Sequence, residues 1–106
     1  MNTMDDMVYD RQVQICKAFA HSSRLKILDL LASRELTGTE LQEALGLAQA
    51  NVSQHLAILK AAGVVATRRD GNQVYCSLTM PEVKQACQLI RDVLRVQVRN
   101  GQKMVV

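Results

Sequence analysis

The polar residues between positions 48 and 59 have the types and the spacing to recognise a hydrogen-bonding partner. In the stretch A-Q-A-N-V-S-Q-H-L-A-I-L, large apolar residues recur at Val52, Leu56 and Leu59, and amide, hydroxyl and imidazole groups stand between them. In a helix, this spacing buries one side and leaves the polar groups on the other. No acidic residue occurs anywhere in residues 44–69.

Such a polar surface has the chemistry to read the edges of DNA bases. Glutamine and asparagine can donate to and accept from adenine at once, and each good bidentate contact discriminates between bases by roughly 1–3 kcal/mol. A carboxylate on the same surface would repel phosphates, so the absence of acids fits this use. An ordinary solvated helix face is the alternative explanation. We predict DNA contacts along this helix by Gln49, Ala50, Asn51, Ser53, Gln54 and His55.

The start of the same helix has no residue that can cap it. Ala48 stands at the expected N-cap position, and its side chain cannot accept a hydrogen bond from the first amides. Free amides at a helix N-terminus attract anions, so a DNA phosphate could satisfy them.

A predicted β-hairpin supplies a second set of candidate contacts. Residues 64–69 (V-V-A-T-R-R) and 72–78 (N-Q-V-Y-C-S-L) flank an Asp-Gly pair, which is a strong signal for a two-residue hairpin turn. Asp70 completes the turn, and the residues around it could approach a phosphate backbone or a minor groove. Charged hairpin tips are often only solvated, so the hairpin alone does not decide the matter. The candidate residues are Arg68, Arg69, Asn72 and Gln73.

The rest of the chain predicts the elements that position these residues. Helices are indicated over residues 7–20, after an N-cap at Ser22, after a capping box at Thr37–Glu40, over residues 49–62, and after a second capping box at Thr79–Glu82, with Pro81 in its first turn. Gly46 and Gly63 end the third and fourth helices. The order α-α-α-α-β-β-α, with a tight turn between the third and fourth helices, predicts a mainly α, winged helix-turn-helix fold.

Composition agrees with a small domain that binds an anionic partner. A chain of 106 residues is long enough for one domain, residues 1–106, and its formal charge of +3 is mildly basic. No apolar run reaches membrane-spanning length, and the start M-N-T-M-D-D-M does not resemble a signal peptide. Three widely spaced cysteines with no C-x-x-C pair argue against a disulfide framework and for the cytoplasm.

Four stretches together resemble the ArsR/SmtB family of bacterial transcriptional repressors. They are A-H-S-S-R-L-K-I-L-D-L-L, E-L-T-G-T-E-L, L-G-L-A-Q-A-N-V-S-Q-H-L-A-I-L-K-A-A-G-V-V and R-R-D-G-N-Q-V-Y-C-S-L. The resemblance covers about residues 15–95 and is most specific over residues 45–65.

The resemblance implies a homodimer that forms through the first and last helices, here residues 7–20 and 80–99. It also implies repression at double-stranded operator DNA with imperfect twofold symmetry, and release of that DNA when an inducer binds. The polar residues of the fourth helix fall in the recognition helix of the family, and those of the hairpin fall in its wing.

Two departures from the family pattern argue against a metal site. Members that sense arsenic or cadmium carry E-L-C-V-C-D-L on the third helix, whereas residues 35–41 here read E-L-T-G-T-E-L. Threonine stands at both thiol positions, Thr37 and Thr39, and its hydroxyl is a poor ligand for a soft metal. The last helix has no histidine to match the zinc-sensing members. We predict no metal ligands and no certain cofactor.

The cysteines are the remaining candidates for sensing an inducer. Cys16 and Cys87 lie on the apolar stripes of the first and last helices, and Lys84 and Arg91 could lower the pKa of Cys87. Cys76 is better explained as a small buried hydrophobe. Arsenite, a persulfide or an oxidant could act on two or three of these thiols, or all three could be structural. Persulfide-sensing relatives place their cysteine pair at positions that hold Asp29 and Arg95 here.

Three alternatives to an inducible repressor remain at this point: a regulator that lacks an effector site, a winged helix that binds only proteins, and an enzyme. We predict that the chain is not an enzyme, since no cysteine or histidine stands in a recognisable catalytic frame and no glycine-rich phosphate loop occurs.

Overall fold

The computed structural model describes residues 3–101 and has the predicted order of helices and hairpin, with one added strand. Its elements are α1 (Thr3–Phe19), α2 (Ser22–Leu31), β1 (Leu36–Thr37), α3 (Gly38–Leu45), α4 (Gln49–Ala61), β2 (Val65–Asp70), β3 (Gln73–Leu78) and α5 (Pro81–Arg99). The mainly α, winged helix-turn-helix prediction is confirmed. Within residues 3–101, no helix is both long and apolar enough to cross a membrane.

The hairpin forms where the Asp-Gly pair predicts it. β2 and β3 are antiparallel, with Val65 opposite Leu78 and Asp70 opposite Gln73, and Gly71 takes a positive φ of 63° in the turn. The sequence missed β1, which pairs with the free edge of β3 so that the strand order is β1-β3-β2. Two residues are too few to show a period of two, so only the pairing with β3 defines this strand.

The core lies where α2, α3, α4 and the inner face of the sheet meet. Its largest fully buried side chains are Ile27, Leu28, Leu41, Val52, Leu59 and Cys76. The apolar stripe predicted for the fourth helix is confirmed, since Val52 and Leu59 are buried and Leu56 is half-buried against the same cluster.

The turn between α3 and α4 is set by local interactions at both ends of α3. The Glu40 amide donates to Thr37 Oγ1 at 3.1 Å, and the Thr37 amide donates to Glu40 Oε1 at 2.9 Å, which confirms the first capping box. Gly46 ends the helix in the left-handed region, with φ of 67°, a conformation that glycine adopts without steric cost.

Two predicted caps are wrong. The N-cap of α2 is His21, whose Nδ1 accepts from the Ser23 amide at 3.1 Å, and Ser22 is the first helical residue. The second capping box does not form, because α5 has Met80 at its N-cap and no side-chain cap. Thr79 instead donates its hydroxyl to the Gly63 carbonyl at 2.8 Å, so this side chain joins the end of β3 to the end of α4.

The capping box makes a prediction for stability. Thr37→Ala removes the acceptor for the Glu40 amide, and we expect it to lower the free energy of unfolding by about 1–2 kcal/mol. Thr37→Ser keeps the hydroxyl and should lose much less. Urea denaturation at one fixed protein concentration measures both variants, and an equal loss in the two would show that the hydroxyl contributes nothing.

Candidate nucleic-acid interface

The first turns of α4 present the predicted polar residues to solvent. Gln49, Ala50, Asn51, Ser53 and Gln54 are all exposed, whereas Val52, in the middle of them, is only 1% exposed. Burial of Val52 therefore fixes which side of the helix faces outward. Ala48 occupies the N-cap with no side-chain hydrogen bond, and the first turn carries no acid, as the sequence predicts.

The structure brings part of the predicted wing beside this helix. Gln49 and Ser53 of α4 line one cleft together with Asn72 and Gln73 of the hairpin. Four residues chosen from two separate patterns therefore share one continuous surface. Lys60 connects the two elements further along, because its Nζ donates to Thr67 Oγ1 at 3.0 Å.

The two wing arginines lie on opposite faces of the sheet, since successive residues of a strand alternate. Arg69 shares its face with Thr67 and pairs across the hairpin with Val74, and both of these line the cleft. No ion pair of Arg69 is found within the described chain.

Arg68 lies on the other face, and its guanidinium is already bound within the protein. Nε and Nη2 donate to the two carboxylate oxygens of Glu35 at 3.1 and 3.0 Å, and the group lies 4.6 Å from the ring centroid of Tyr75. The hydrogen bond from Arg68 holds the pKa of Glu35 below its usual value. Two donor atoms of Arg68 therefore already have partners within the protein, and a contact between Arg68 and DNA stays a prediction.

His55 also differs from the other predicted contacts on α4. Its imidazole is half-buried, with a ring centroid 4.5 Å from that of His21, and Arg24 Nη1 lies 3.4 Å from its Nδ1. Burial lowers the pKa of His55, and the charges of His21 and Arg24 lower it further. His55 therefore joins α4 to the rest of the fold, and its contact with DNA stays a prediction.

Arg24 holds the contact between α1 and α4 together, and no local sequence pattern indicates this role. Its Nε donates to the Ala18 carbonyl at 2.7 Å and its Nη2 to the Lys17 carbonyl at 3.1 Å, so one side chain joins the last turn of α1 to α4. The sequence also gave no indication that Glu35 binds Arg68 of the wing. The partners of Arg24 on α4 and of Glu35 in the wing lie 31 and 33 residues away in the chain, a separation that no local pattern reports.

The three cysteines have different surroundings. Cys16 is exposed, Cys87 is half-buried and Cys76 is buried in the core, as expected for a small hydrophobe. Burial raises the pKa of Cys76. Burial also raises the pKa of Cys87, and the opposing effect of Arg91 is smaller, so the prediction of a lowered pKa there is wrong. Arg91 is paired with Asp29 at 2.6 Å.

Three residues that the sequence compared with metal- and persulfide-sensing proteins, Thr37, Asp29 and Arg95, each have a partner within the fold. The Thr37 side chain caps α3, and in the described part of the chain no three histidine, cysteine or acidic side chains come together as a metal site would require. Asp29 pairs with Arg91, and Arg95 pairs with Asp92.

Comparison with known proteins gives a consistent result. Residues 21–67 match the family described as bacterial regulatory protein, arsR family. The chain is 39% identical over 88 residues to an uncharacterised HTH-type transcriptional regulator of Mycobacterium tuberculosis, Rv0081, covering 82% of this chain and 77% of that protein. It is 40% identical over 80 residues to the transcriptional activator HlyU of Vibrio cholerae, covering 76% of this chain and 74% of HlyU.

Solved structures agree with this relationship. The crystal structure of Rv0081 matches with a TM-score of 0.81 and 36% identity, covering 88% of this chain and 94% of that one. A solution structure of the homodimeric winged helix-turn-helix DNA-binding domain of Mb0332 from Mycobacterium bovis matches with a TM-score of 0.84 and 26% identity, covering 100% and 97%.

The fold, the exposed face of α4 and these relatives together define a winged helix-turn-helix transcriptional regulator that binds DNA and is not an enzyme. The chain belongs to the ArsR family of bacterial regulatory proteins.

The junction at His55 predicts how stability depends on pH. The pKa of His55 lies below its ordinary value of 6.5 in the folded protein, so the unfolded chain takes up the proton first as the pH falls. We expect the free energy of unfolding to be fully maintained above about pH 7 and to decrease as the pH falls through about 6.5 and below.

His55→Gln removes the titrating group and should flatten that part of the profile. Urea denaturation of both proteins at about pH 7.5, 6.5 and 5.5, at one protein concentration, measures the difference. If the variant and the wild type lose stability in parallel, the pH dependence belongs to another group.

Proposed function

We propose that this protein is a homodimeric repressor that binds a twofold-symmetric operator and releases it on reaction with a thiol-reactive inducer. The observation that carries the DNA-binding part is the geometry of α4. Val52 and Leu59 are buried, so Gln49, Asn51 and Ser53 face outward from the same helix.

The chemistry of this face suits a major groove. The exposed amide and hydroxyl groups can pair with base edges, and the uncapped amides at Ala48 can bind a phosphate beside them. Gln54 and Ala50 extend the same surface. Arg69, Asn72 and Gln73 of the wing then reach the neighbouring backbone or minor groove.

The proposed dimer interface covers apolar side chains that one protomer leaves exposed. On α1 these are Met7, Val8, Tyr9, Val13 and Ile15; on α5 they are Leu89, Ile90, Val93, Leu94, Val96 and Val98. So much apolar surface on two helices is typical of an interface. The homodimeric domain from Mycobacterium bovis supports a second copy of this chain as the partner. A dimer would present two α4 helices to major grooves about 34 Å apart.

Repression is the direction of regulation that we propose, on the basis of relatives with that function. One relative is a probable mercury resistance operon repressor of Streptomyces lividans, at 35% identity over 82 residues, and another is the biofilm growth-associated repressor of Xylella fastidiosa, at 32% over 71 residues. The activator HlyU shows that the same fold also serves activation. As a DNA-binding regulator, the protein would act in the cytoplasm.

The proposed inducer reacts with Cys16 and Cys87, and arsenite, a persulfide or an oxidant are the candidate reagents. Cys16 is exposed and Cys87 is half-buried, on the two helices that carry the unpaired apolar surface. A modification there would change the dimer geometry and therefore the spacing of the two α4 helices. Cys76 has little access to a reagent because it is buried. A regulator without an effector site is the alternative.

Variants of α4 test the DNA-binding proposal. Asn51→Ala and Gln49→Ala should each weaken binding to an operator, selected by the wild type from random duplexes, by about fivefold to 100-fold. Ser33→Ala is the control, because Ser33 is exposed and belongs neither to the predicted DNA contacts nor to the proposed dimer helices, and it should leave affinity unchanged.

Fluorescence anisotropy at several salt concentrations measures these affinities. Wild-type affinity should fall steeply as salt rises, because phosphate contacts release counterions. Retention of full affinity by both α4 variants would exclude this helix as the reader of bases.

Release of the operator tests the proposed inducer. We expect arsenite, persulfide or peroxide to dissociate the wild-type complex, and zinc alone to have no effect. Cys87→Ser should bind the operator with unchanged affinity and resist release by the same reagent. Release of the Cys87→Ser complex at the wild-type reagent concentration would contradict a role for this thiol.

A further inference from the structure

Arg68 is the wing arginine that has no part in the proposed DNA contacts. The Arg68 guanidinium lies on the outer face of the sheet, on the side opposite Thr67 and Arg69. Its partners among the described residues are Glu35 at 3.0 and 3.1 Å, the Tyr75 ring at 4.6 Å, and Asp70 at 3.9 Å.

These partners lie on different strands of the sheet. Arg68 is on β2 and stands opposite Tyr75 on β3, and Tyr75 in turn stands opposite Thr37 of β1. Glu35 comes immediately before β1. The side chain of Arg68 therefore extends from β2, across the central strand β3, to the residue that precedes β1.

Such a connection matters for the outer part of the wing, because the core holds only its inner end and the hydrogen bond from Lys60 reaches only Thr67. β1 has only two residues, and the outer part of the hairpin, from Arg68 to Val74, is exposed apart from its pairing between β2 and β3. A bidentate arginine–carboxylate pair fixes direction as well as distance, and the aromatic face below it restricts the guanidinium further.

We infer that Glu35, Arg68 and Tyr75 form a strut that sets the angle of the wing, so that Arg68 positions Arg69 for DNA without contacting phosphate itself. This inference rests on the proposed function. Here "strut" means those three side chains. Arg68 is a positioning residue, and Arg69 makes the contact.

Glu35→Gln separates the two roles by the sign of its effect. If Arg68 contacted phosphate, Glu35 would compete for the guanidinium, and removal of its charge would strengthen DNA binding. As part of the strut, Glu35 supports the wing, and its removal should weaken operator binding about fivefold.

Glu43→Gln is the matched control, because Glu43 is an exposed acid of α3 with no ion pair among the residues that the structure describes. It reports the effect of removing one negative charge alone. Glu35→Gln binding as tightly as Glu43→Gln, or more tightly, overturns the strut.

The salt dependence of binding separates the two arginines. Arg69→Gln should reduce the slope of log affinity against log salt by about one, as expected for one lost phosphate contact. Arg68→Gln should weaken binding with the slope unchanged, although both variants lose one positive charge. A slope reduced to the same extent in Arg68→Gln overturns the inference.

Hydrogen exchange of the free protein tests the strut without DNA. Glu35→Gln should speed amide exchange in residues 65–78 several-fold relative to Glu43→Gln, while exchange in α2 stays the same. Unchanged amide exchange in the wing of Glu35→Gln overturns the strut, whatever the result of the DNA-binding measurements. Absence of any salt-dependent binding by the wild type, with exchange accelerated as expected, would instead overturn the proposed function.

Discussion

Burial of Val52 and Leu59 is the constraint on which the rest of the interface depends. Each residue of a helix is turned by about 100° from the one before, so a rotation of one position would bring Ser53 and Lys60 inward in place of Val52 and Leu59. Loss of a buried leucine side chain alone costs about 2–5 kcal/mol. The core therefore holds α4 in one orientation, and the polar side that remains carries Gln49, Asn51 and Ser53.

The ends of α4 are held by different means. At its start, the capped α3 and the left-handed Gly46 determine where the chain turns, and Ala48 leaves the first amides without a side-chain partner. Further along, Arg24 and His55 connect α4 to the end of α1. Because α1 also carries exposed apolar residues, this junction connects the proposed dimer surface with the helix that we propose to read DNA. It is a physical route by which a change in dimer geometry could reach the operator.

Strand alternation places the two arginines of the wing in different surroundings. Arg68 and Arg69 are neighbours in sequence and carry the same charge, yet strand alternation places Arg68 beside Glu35 and Tyr75 and Arg69 on the face of the cleft.

The surroundings of Cys87 also differ from what its neighbours in sequence suggest. Nearby cations alone suggest an activated Cys87, but the pairing of Arg91 with Asp29 and the burial of the thiol give a raised pKa.

The sequence by itself determined the features that depend on neighbouring residues: the helix periodicity, the capping box at Thr37 and the hairpin turn at Asp70 and Gly71. It also identified the outward residues of α4, because the spacing of Val52 and Leu59 defines the opposite side. Only the tertiary structure decided β1, the use of Thr79 as a link to Gly63, and the partners of Arg68 and His55. These features join residues that are distant along the chain. Composition and periodicity describe the local behaviour of a residue. Packing decides which distant group that residue contacts.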